Sequence, residues 1–340
     1  MPAENVPAPH SLLQIATGFW ASRALYIAAK LGIADRLAGG PESAEGLASA
    51  CGVHAGSLRR VLRALASLGV FAEDAQGRFI QTPLSLGLRS GAAGSLLEFV
   101  VMLGEPESWL AWGDVMHSVR TGQSAFEHVF GATLFDHLAA HPDAARTFDA
   151  AMVERGAAEN EALLAAWDLP QAGRVVDVGG GQGSLLAAVL HSREGLNGIL
   201  FDIAHVVERA RPMFDAQGLA RRWQGVAGDF FTDPLPAGAD LYLLKKVIHD
   251  WDDTQAVAIL QACARAMSPA SRLLLIEPVI ALDNEPSFAK LLDLFMLVWP
   301  GGRERTVPEH ARIITAAGLE LRRSVATRSP LSILEVVRPA

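Results

Sequence analysis

Three textures of apolar and polar residues follow one another along the chain. From 11 to 38, apolar residues recur at helical spacing (Leu12, Leu13, Ala16, Phe19, Ala24, Ile27, Leu31), with glycines at 32, 39 and 40 punctuating the run. Residues 41–71 predict helix, turn, helix: Ser43 is placed to cap the first helix, Gly52 to close it and Gly69 to stop the second. "VFAEDAQGRFIQTP" then reads as two short strands around a glycine turn, which completes a winged-helix pattern. Residues 94–168 read as mainly helical, with loops at Gly104-Glu105-Pro106 and Gly122. From 174 onward, β-rich runs alternate with helical ones: "RVVDV", "GILFD", "ADLYLLK", "RLLLIE" and finally "LSILEVV". That alternation predicts an α/β fold, a doubly wound Rossmann-like sheet covered by helices on both faces. The expected division is a winged-helix-like front (1–93), a helical linker (94–168) and an α/β back (169–340).

Composition narrows the classes of function. With 340 residues, half of them hydrophobic and 19% charged, the chain is globular and long enough for two domains. Its net charge of −8 and lack of a basic tract argue against a nucleic-acid partner. Arg59, Arg60 and Arg63 on the second wing helix could face DNA, but a solvated helix face explains them equally, and Glu73 and Asp74 in the hairpin would repel phosphate. Cys51 and Cys263 stand alone, so neither a disulfide framework nor a zinc site is expected. The first residues do not read as a signal peptide, and the most apolar segment, "LLDLFMLVW", is short and contains Asp293. A membrane-crossing helix needs ~20 apolar residues, so the expectation is a cytoplasmic protein. The apolar first helix requires a partner surface.

The chemistry gathers around "VVDVGGGQG". In an open α/β sheet the ligand sits beyond the carboxyl ends of the strands, and glycine allows the backbone to approach it closely. Gly179, Gly181 and Gly183 recur at every second residue, but Ser184 stands where a dinucleotide fingerprint needs its last glycine, and there is no Walker lysine. Asp202, ending "GILFD", is placed to accept hydrogen bonds from both hydroxyls of a ribose, or to cap the helix that follows. Gly228 and Asp229 follow the third strand, where a carboxylate can meet an adenine amino group; Phe230 beside them would flank the ring or fill the core. Asp177 next to the loop suits a cation better than phosphate. Adenosine, no phosphate and a positive centre together describe S-adenosylmethionine, whose sulfonium activates its own methyl group without a metal.

"LYLLKKVIHDWDD" resembles the signature of the plant-type small-molecule O-methyltransferases and their bacterial relatives that act on polyketides and other antibiotics. "VVDVGGGQG", "FDIAHVV", "GDFF", "LLLIEPVI" and "GGRERT" fall in that family's order, and the resemblance covers nearly the whole chain. It implies a seven-stranded catalytic sheet, a winged-helix front that makes a homodimer, and S-adenosylhomocysteine as product. It implies His249 as general base flanked by Glu277 and Glu304, with Asp202, Asp229, Phe230 and Lys245 around the adenosine and Gly179 beside the methionine part. It places Phe148 and Met152 on a linking helix that lines the pocket; Met296 and Trp299 are further candidates for the acceptor wall. Asp250 is expected to act as a cap or backbone link rather than a second base, and is also a candidate beside the acceptor. Trp109, Trp112 and Met116 suit a flat aromatic acceptor and serve a core equally well.

For O-methylation a phenol must lose its proton, and a free phenol titrates near pH ~10. A neutral histidine can take that proton, and a neighbouring carboxylate orients the ring and favours its charged form. Two alternatives stay open. The same fold and cofactor also serve N- or C-methylation and cofactor-bound hydroxylation or decarboxylation, and a winged helix joined to an α/β domain also describes a ligand-sensing DNA-binding regulator.

Overall fold

Capping residues decide where the first helices stop. In the computed structural model, which describes residues 8–339, the first helix runs Ala8–Lys30 and Gly32 takes a left-handed φ of 62°. That turn splits the apolar run expected to reach residue 38, and a short helix Ile33–Arg36 follows it. Ser43 Oγ accepts the Gly46 N–H at 3.0 Å and starts the helix Ala44–Cys51, which Gly52 ends at φ 67°. The next helix, Ala55–Ser67, leads through Gly69 (φ 77°) into a hairpin of β1 (Phe71–Glu73) and β2 (Phe79–Gln81). Leu47, Leu58, Leu62, Leu65, Phe71 and Phe79 close a small core beneath them. Arg59 is engaged by Glu73 of the hairpin at 2.8 Å.

The chain divides into two compact units, one of residues 1–109 with 141–155 and one of 110–140 with 156–340. Residues 94–168 contribute to both, and the long helix Pro142–Ala166 is shared between them. In the first unit, Leu12, Leu13, Ile15, Phe19 and Trp20 of the opening helix are all more than half exposed. No helix among the described residues is long and apolar enough to cross a membrane.

The second unit is built on seven strands: β3 (Ala172–Val178), β4 (Gly195–Asp202), β5 (Trp223–Ala227), β6 (Leu241–Lys245), β7 (Arg272–Pro278), β8 (Glu320–Ala326) and β9 (Leu331–Val337). Their order is β5-β4-β3-β6-β7-β9-β8, parallel except for β9, which runs against both neighbours. Side-chain alternation splits each buried strand between two cores. Val176, Tyr242, Leu244, Leu273 and Leu275 pack on the face covered by helices Asp253–Ala266 and Val307–Ala316. Val175, Leu241, Leu243, Leu274 and Ile276 pack on the other, under Ser184–Ser192 and Ala204–Ala216. Both faces being covered, the strands read as unbroken apolar runs. Strand β8 carries mostly exposed residues, and its "ELRRSVA" has no such signature. The chain enters at β3, steps outward to β5 and returns to β6 on the other side of β3, so a crevice opens beyond the carboxyl ends of β3 and β6.

Candidate active site

The glycine loop forms one side of that crevice. Gly179, Gly181 and Gly183 have φ of 64°, 58° and 78°, values that side-chain-bearing residues rarely adopt. A Cβ on Gly179 would lie 3.0 Å from Val247, and one on Gly180 would lie 2.5 Å from Asp177 Oδ2, whereas one on Gly181 would meet nothing. The loop therefore folds tightly over Asp177 and keeps its open side at Gly181. Asp177 is buried, and its carboxylate is short of donors within the chain, only the Leu186 backbone N–H pulling on it weakly. Burial pushes its pKa up to about 7; Lys245 pulls it down and Asp202 pushes it further up. A buried carboxyl so short of donors is costly, and a cationic group would relieve it.

Asp202 ends β4 and takes the Gly181 N–H on Oδ2 at 2.9 Å and the Ile203 N–H on Oδ1 at 2.8 Å. The helix behind it is capped at Ile203, so Asp202 is not its cap. A carboxylate offers about four acceptor directions, so Asp202 can still receive hydroxyls. Burial raises its pKa, against the pull of those two backbone donors. The third strand end is tied to the second: Gly228 N–H donates to the Asp202 carbonyl at 3.0 Å. Asp229 Oδ1 accepts the Phe231 N–H at 2.9 Å, and Phe230 and Phe231 both meet Trp251 edge-on, at 5.9 and 4.8 Å between centroids. Lys245 leaves β6 toward the long helix, donating to Asn160 Oδ1 at 2.7 Å and pairing with Glu159 at 2.9 Å. Burial brings its pKa down to about 8 against the pull of Glu159.

His249 lies at the other end, in the 3₁₀ turn Ile248–Asp250 just past β6. Its Nδ1 is 2.8 Å from Glu304 Oε1 and 3.8 Å from Glu277 Oε2, and its Nε2 is 3.6 Å from Asp250 Oδ1. Burial alone would lower the pKa of His249, but Asp250, Glu277 and Glu304 outweigh it and lift the value to about 9. Glu277, at the end of β7, is itself pushed up to about 7, by burial first and by Glu304, while His249 opposes. It does structural work as well, since its Oε1 accepts the N–H groups of Val247 and Ile248 at 3.1 and 2.9 Å. Asp250 reaches about 6, again through burial with His249 opposing. The cap of the following helix is Asp252, so Asp250 belongs instead to the cluster around His249. Glu304 is buried against His249 rather than at the surface beside Arg303.

Arg305, next to Glu304 in the chain, is 1% exposed. It donates to the carbonyls of Ile248 and Trp251 at 3.1 and 2.9 Å and forks onto Asp253 Oδ1 at 3.0 and 2.8 Å, which brackets the His249 turn. Gly302 makes this docking possible, because a Cβ there would sit 2.0 Å from the His249 carbonyl oxygen. Lys246, the residue after β6, holds a left-handed φ of 54°, a strained setting of the sort found at functional turns. Trp251, Glu159 and Asn160 also join the site's surroundings without having been singled out; only Trp251, inside "HDW", carried a usable signal.

The acceptor-wall candidates separate. Met296 and Trp299 are both buried; Trp299 packs on Phe295 and Phe126, and its carbonyl accepts Ser124 Oγ at 2.7 Å. Trp299 is thus fixed in place within the second unit. In the first unit, Phe148 and Met152 are partly buried one turn apart on Pro142–Ala166. Trp109, also in the first unit, lies under the Arg23 guanidinium at 4.4 Å and beside Phe19.

A model of the O-methyltransferase domain family matches residues 112–320, and one of the O-methyltransferase dimerisation domain matches 13–88. Phenazine O-methyltransferase PhzM of Lysobacter antibioticus is 44% identical over 98% of this chain and 97% of its own length. Phenazine-1-carboxylate N-methyltransferase of Pseudomonas aeruginosa is 32% identical over 94% of this chain and 95% of its own. Among solved structures, NcsB1, an O-methyltransferase of neocarzinostatin biosynthesis, was determined with S-adenosylmethionine and 2-hydroxy-5-methyl naphthoic acid. It superposes with a TM-score of 0.81 at 37% identity, covering 94% of this chain and 96% of its own. Similar along nearly its whole length to such enzymes and matched by both family models, the chain belongs to the O-methyltransferase family.

Proposed function

We propose that the chain moves a methyl group from S-adenosylmethionine to a hydroxyl of a flat aromatic natural product, with His249 as general base. The observation that carries this reading is the buried His249–Glu304 contact at 2.8 Å, with Glu277 and Asp250 close by. The residues of the crevice fit the methyl donor: Asp177 is a buried carboxyl short of donors, Gly181 leaves backbone uncovered, and Asp202 and Asp229 present carboxylates at adjoining strand ends. Asp177 and Gly179 to Gly181 would hold its amino-acid end, Asp202 the ribose, and Asp229, Phe230 and Lys245 the adenine. When bound, it supplies an electrophilic methyl carbon on a sulfonium.

The chain's own contribution is alignment, exclusion of water and handling of one proton. Glu304 on Nδ1 fixes the imidazole so that Nε2 is the nitrogen available to a substrate hydroxyl. With its pKa near 9, His249 is matched to a phenol near ~10, so proton transfer between them is close to balanced. The carboxylates hold the resulting imidazolium. Met296 and Trp299 of the second unit are proposed to border the acceptor. Relatives named for phenazine and naphthoate acceptors support a fused aromatic ring. The homodimer is proposed to form through the first unit, where the dimerisation model matches and the opening helix exposes its apolar side chains.

The N-methylating relative supports a second reading in which nitrogen is the acceptor. A free amine already has its lone pair and gains little from a base, whereas a phenol requires one. Purified protein, the methyl donor and matched hydroxy- and amino-substituted phenazines or naphthoates separate the two. The expected result is a mass gain of one methylene on the hydroxylated compound, lost in His249→Ala. Methylation of the amine alone, indifferent to His249, would replace O-methylation by the second reading.

A further inference from the structure

Away from the methyl-transfer site, the second unit brings three metal-binding side chains together. Helices Val115–Thr121 and Ala125–Phe130 are joined by a turn in which Gly122 has φ 73°. Asp114 stands immediately before the first helix, His117 lies in it and His128 lies on the second. Asp114 Oδ2 is 2.6 Å from His128 Nδ1, and the imidazoles of His117 and His128 stack 3.9 Å apart at 6°. One donor atom from each of the three lies within 4.8 Å of the other two. The sequence hides this set, because Asp114, His117 and His128 are separated by a turn and match no zinc spacing.

We propose that Asp114, His117 and His128 form a binding site for a divalent transition-metal ion of borderline softness, with Zn²⁺ as its type. Two neutral imidazoles and one carboxylate are a donor set for zinc and its neighbours; magnesium and calcium take oxygen. The partial exposure of all three leaves room for water to complete the coordination shell. In the stacked arrangement the in-plane lone pairs of the two rings run parallel, so metal capture requires the rings to unstack. His128, with its side chain 57% exposed, can turn to do so. The site has a lever on its surroundings. Ser124, on the turn between the helices, donates to the carbonyls of Val298 and Trp299, so an ion would staple two helices already seated on the helix Phe288–Val298.

The buried trio His249, Glu277 and Glu304 also lies within 4.8 Å and is the competing location, which the test separates. Full-length protein carrying no affinity tag is titrated with Zn²⁺ against a chelating dye, and with Co²⁺ while its visible absorption is followed. The expected result is one ion per chain and a Co²⁺ spectrum of nitrogen–oxygen coordination. Affinity should fall at least about tenfold in His117→Ala and in His128→Ala and persist in His249→Ala. Both surface variants should keep normal methyl transfer without added metal, which reports that they fold. Unchanged binding in the His117→Ala/His128→Ala double variant, loss in His249→Ala alone, or no binding up to millimolar Zn²⁺ overturns the proposal.

Discussion

The two ends of the candidate site are built on different plans. At the His249 end, apart from the adjoining Asp250, the partners come from residues distant in sequence: Glu277 from β7, Glu304 and Arg305 from the loop after helix Phe288–Val298. At the glycine-loop end the bonds are local to adjoining strand ends, Gly181 to Asp202, Gly228 to Asp202 and Phe231 to Asp229. The first end is a closed cluster of coupled charges. The second is a set of backbone turns with acceptors to spare. A base needs its pKa and its tautomer set before substrate arrives, whereas a cofactor cleft needs uncovered backbone and lone pairs.

Substitutions at the two ends should therefore fail differently. The largest effect belongs to His249→Ala, which should lower turnover by ~10²–10⁴ while the methyl donor binds with unchanged affinity in calorimetry. Near-normal turnover would remove the base from the base end. Glu304→Gln comes next, with turnover down about tenfold to a hundredfold, the range for a lost charged hydrogen bond. It should also move the pH profile. His249 is lifted from an ordinary 6.5 to about 9, so kcat/KM should climb with pH toward about 9 as the imidazole loses its proton. Removing one lifting carboxylate shifts that limb to lower pH. Linkage gives the matching stability test: the raised value stabilises the fold fully below about pH 6.5, and the contribution disappears as pH rises through about 9. Smallest is Asp202→Asn, expected to weaken methyl-donor affinity about tenfold while turnover at saturation stays close to normal. A drop in turnover with affinity intact would mean that the two ends are not separate.

The same contrast explains what the sequence displays. The glycine-loop end is legible because strand, turn and acid are contiguous: "VVDVGGGQG", "FD" and "GDF" each contain their own local geometry. Central strands stand out as apolar runs because both faces are buried; Ser43 starts its helix, and Gly52 and Gly69 follow the ends of theirs, for local reasons. Strand β8 escapes notice because an exposed edge imposes no pattern on Arg322, Arg323 and Ser324. Arg305 and Glu304 are adjacent in sequence, yet one clamps backbone carbonyls while the other faces an imidazole. Nothing in "GGRERT" separates them without a family resemblance, because the partners lie about fifty residues away. His310 shows the same limit. It is buried too, but there desolvation wins, helped by Arg305, and takes its pKa down to about 4. Burial is visible in an apolar pattern; the count of facing carboxylates is not.

The distance between His249 and its partners also has a meaning in time. A ribosome delivers the histidine first, Glu277 after it, and Glu304, Arg305 and the permissive Gly302 last. Until that loop has emerged, the imidazole lacks both the carboxylate that sets its tautomer and the clamp that holds its turn. A growing chain can thus complete its glycine turn and first strands long before the proposed base has its partners. The enzyme's reactivity comes into being only once most of the sheet that contains it is available to fold.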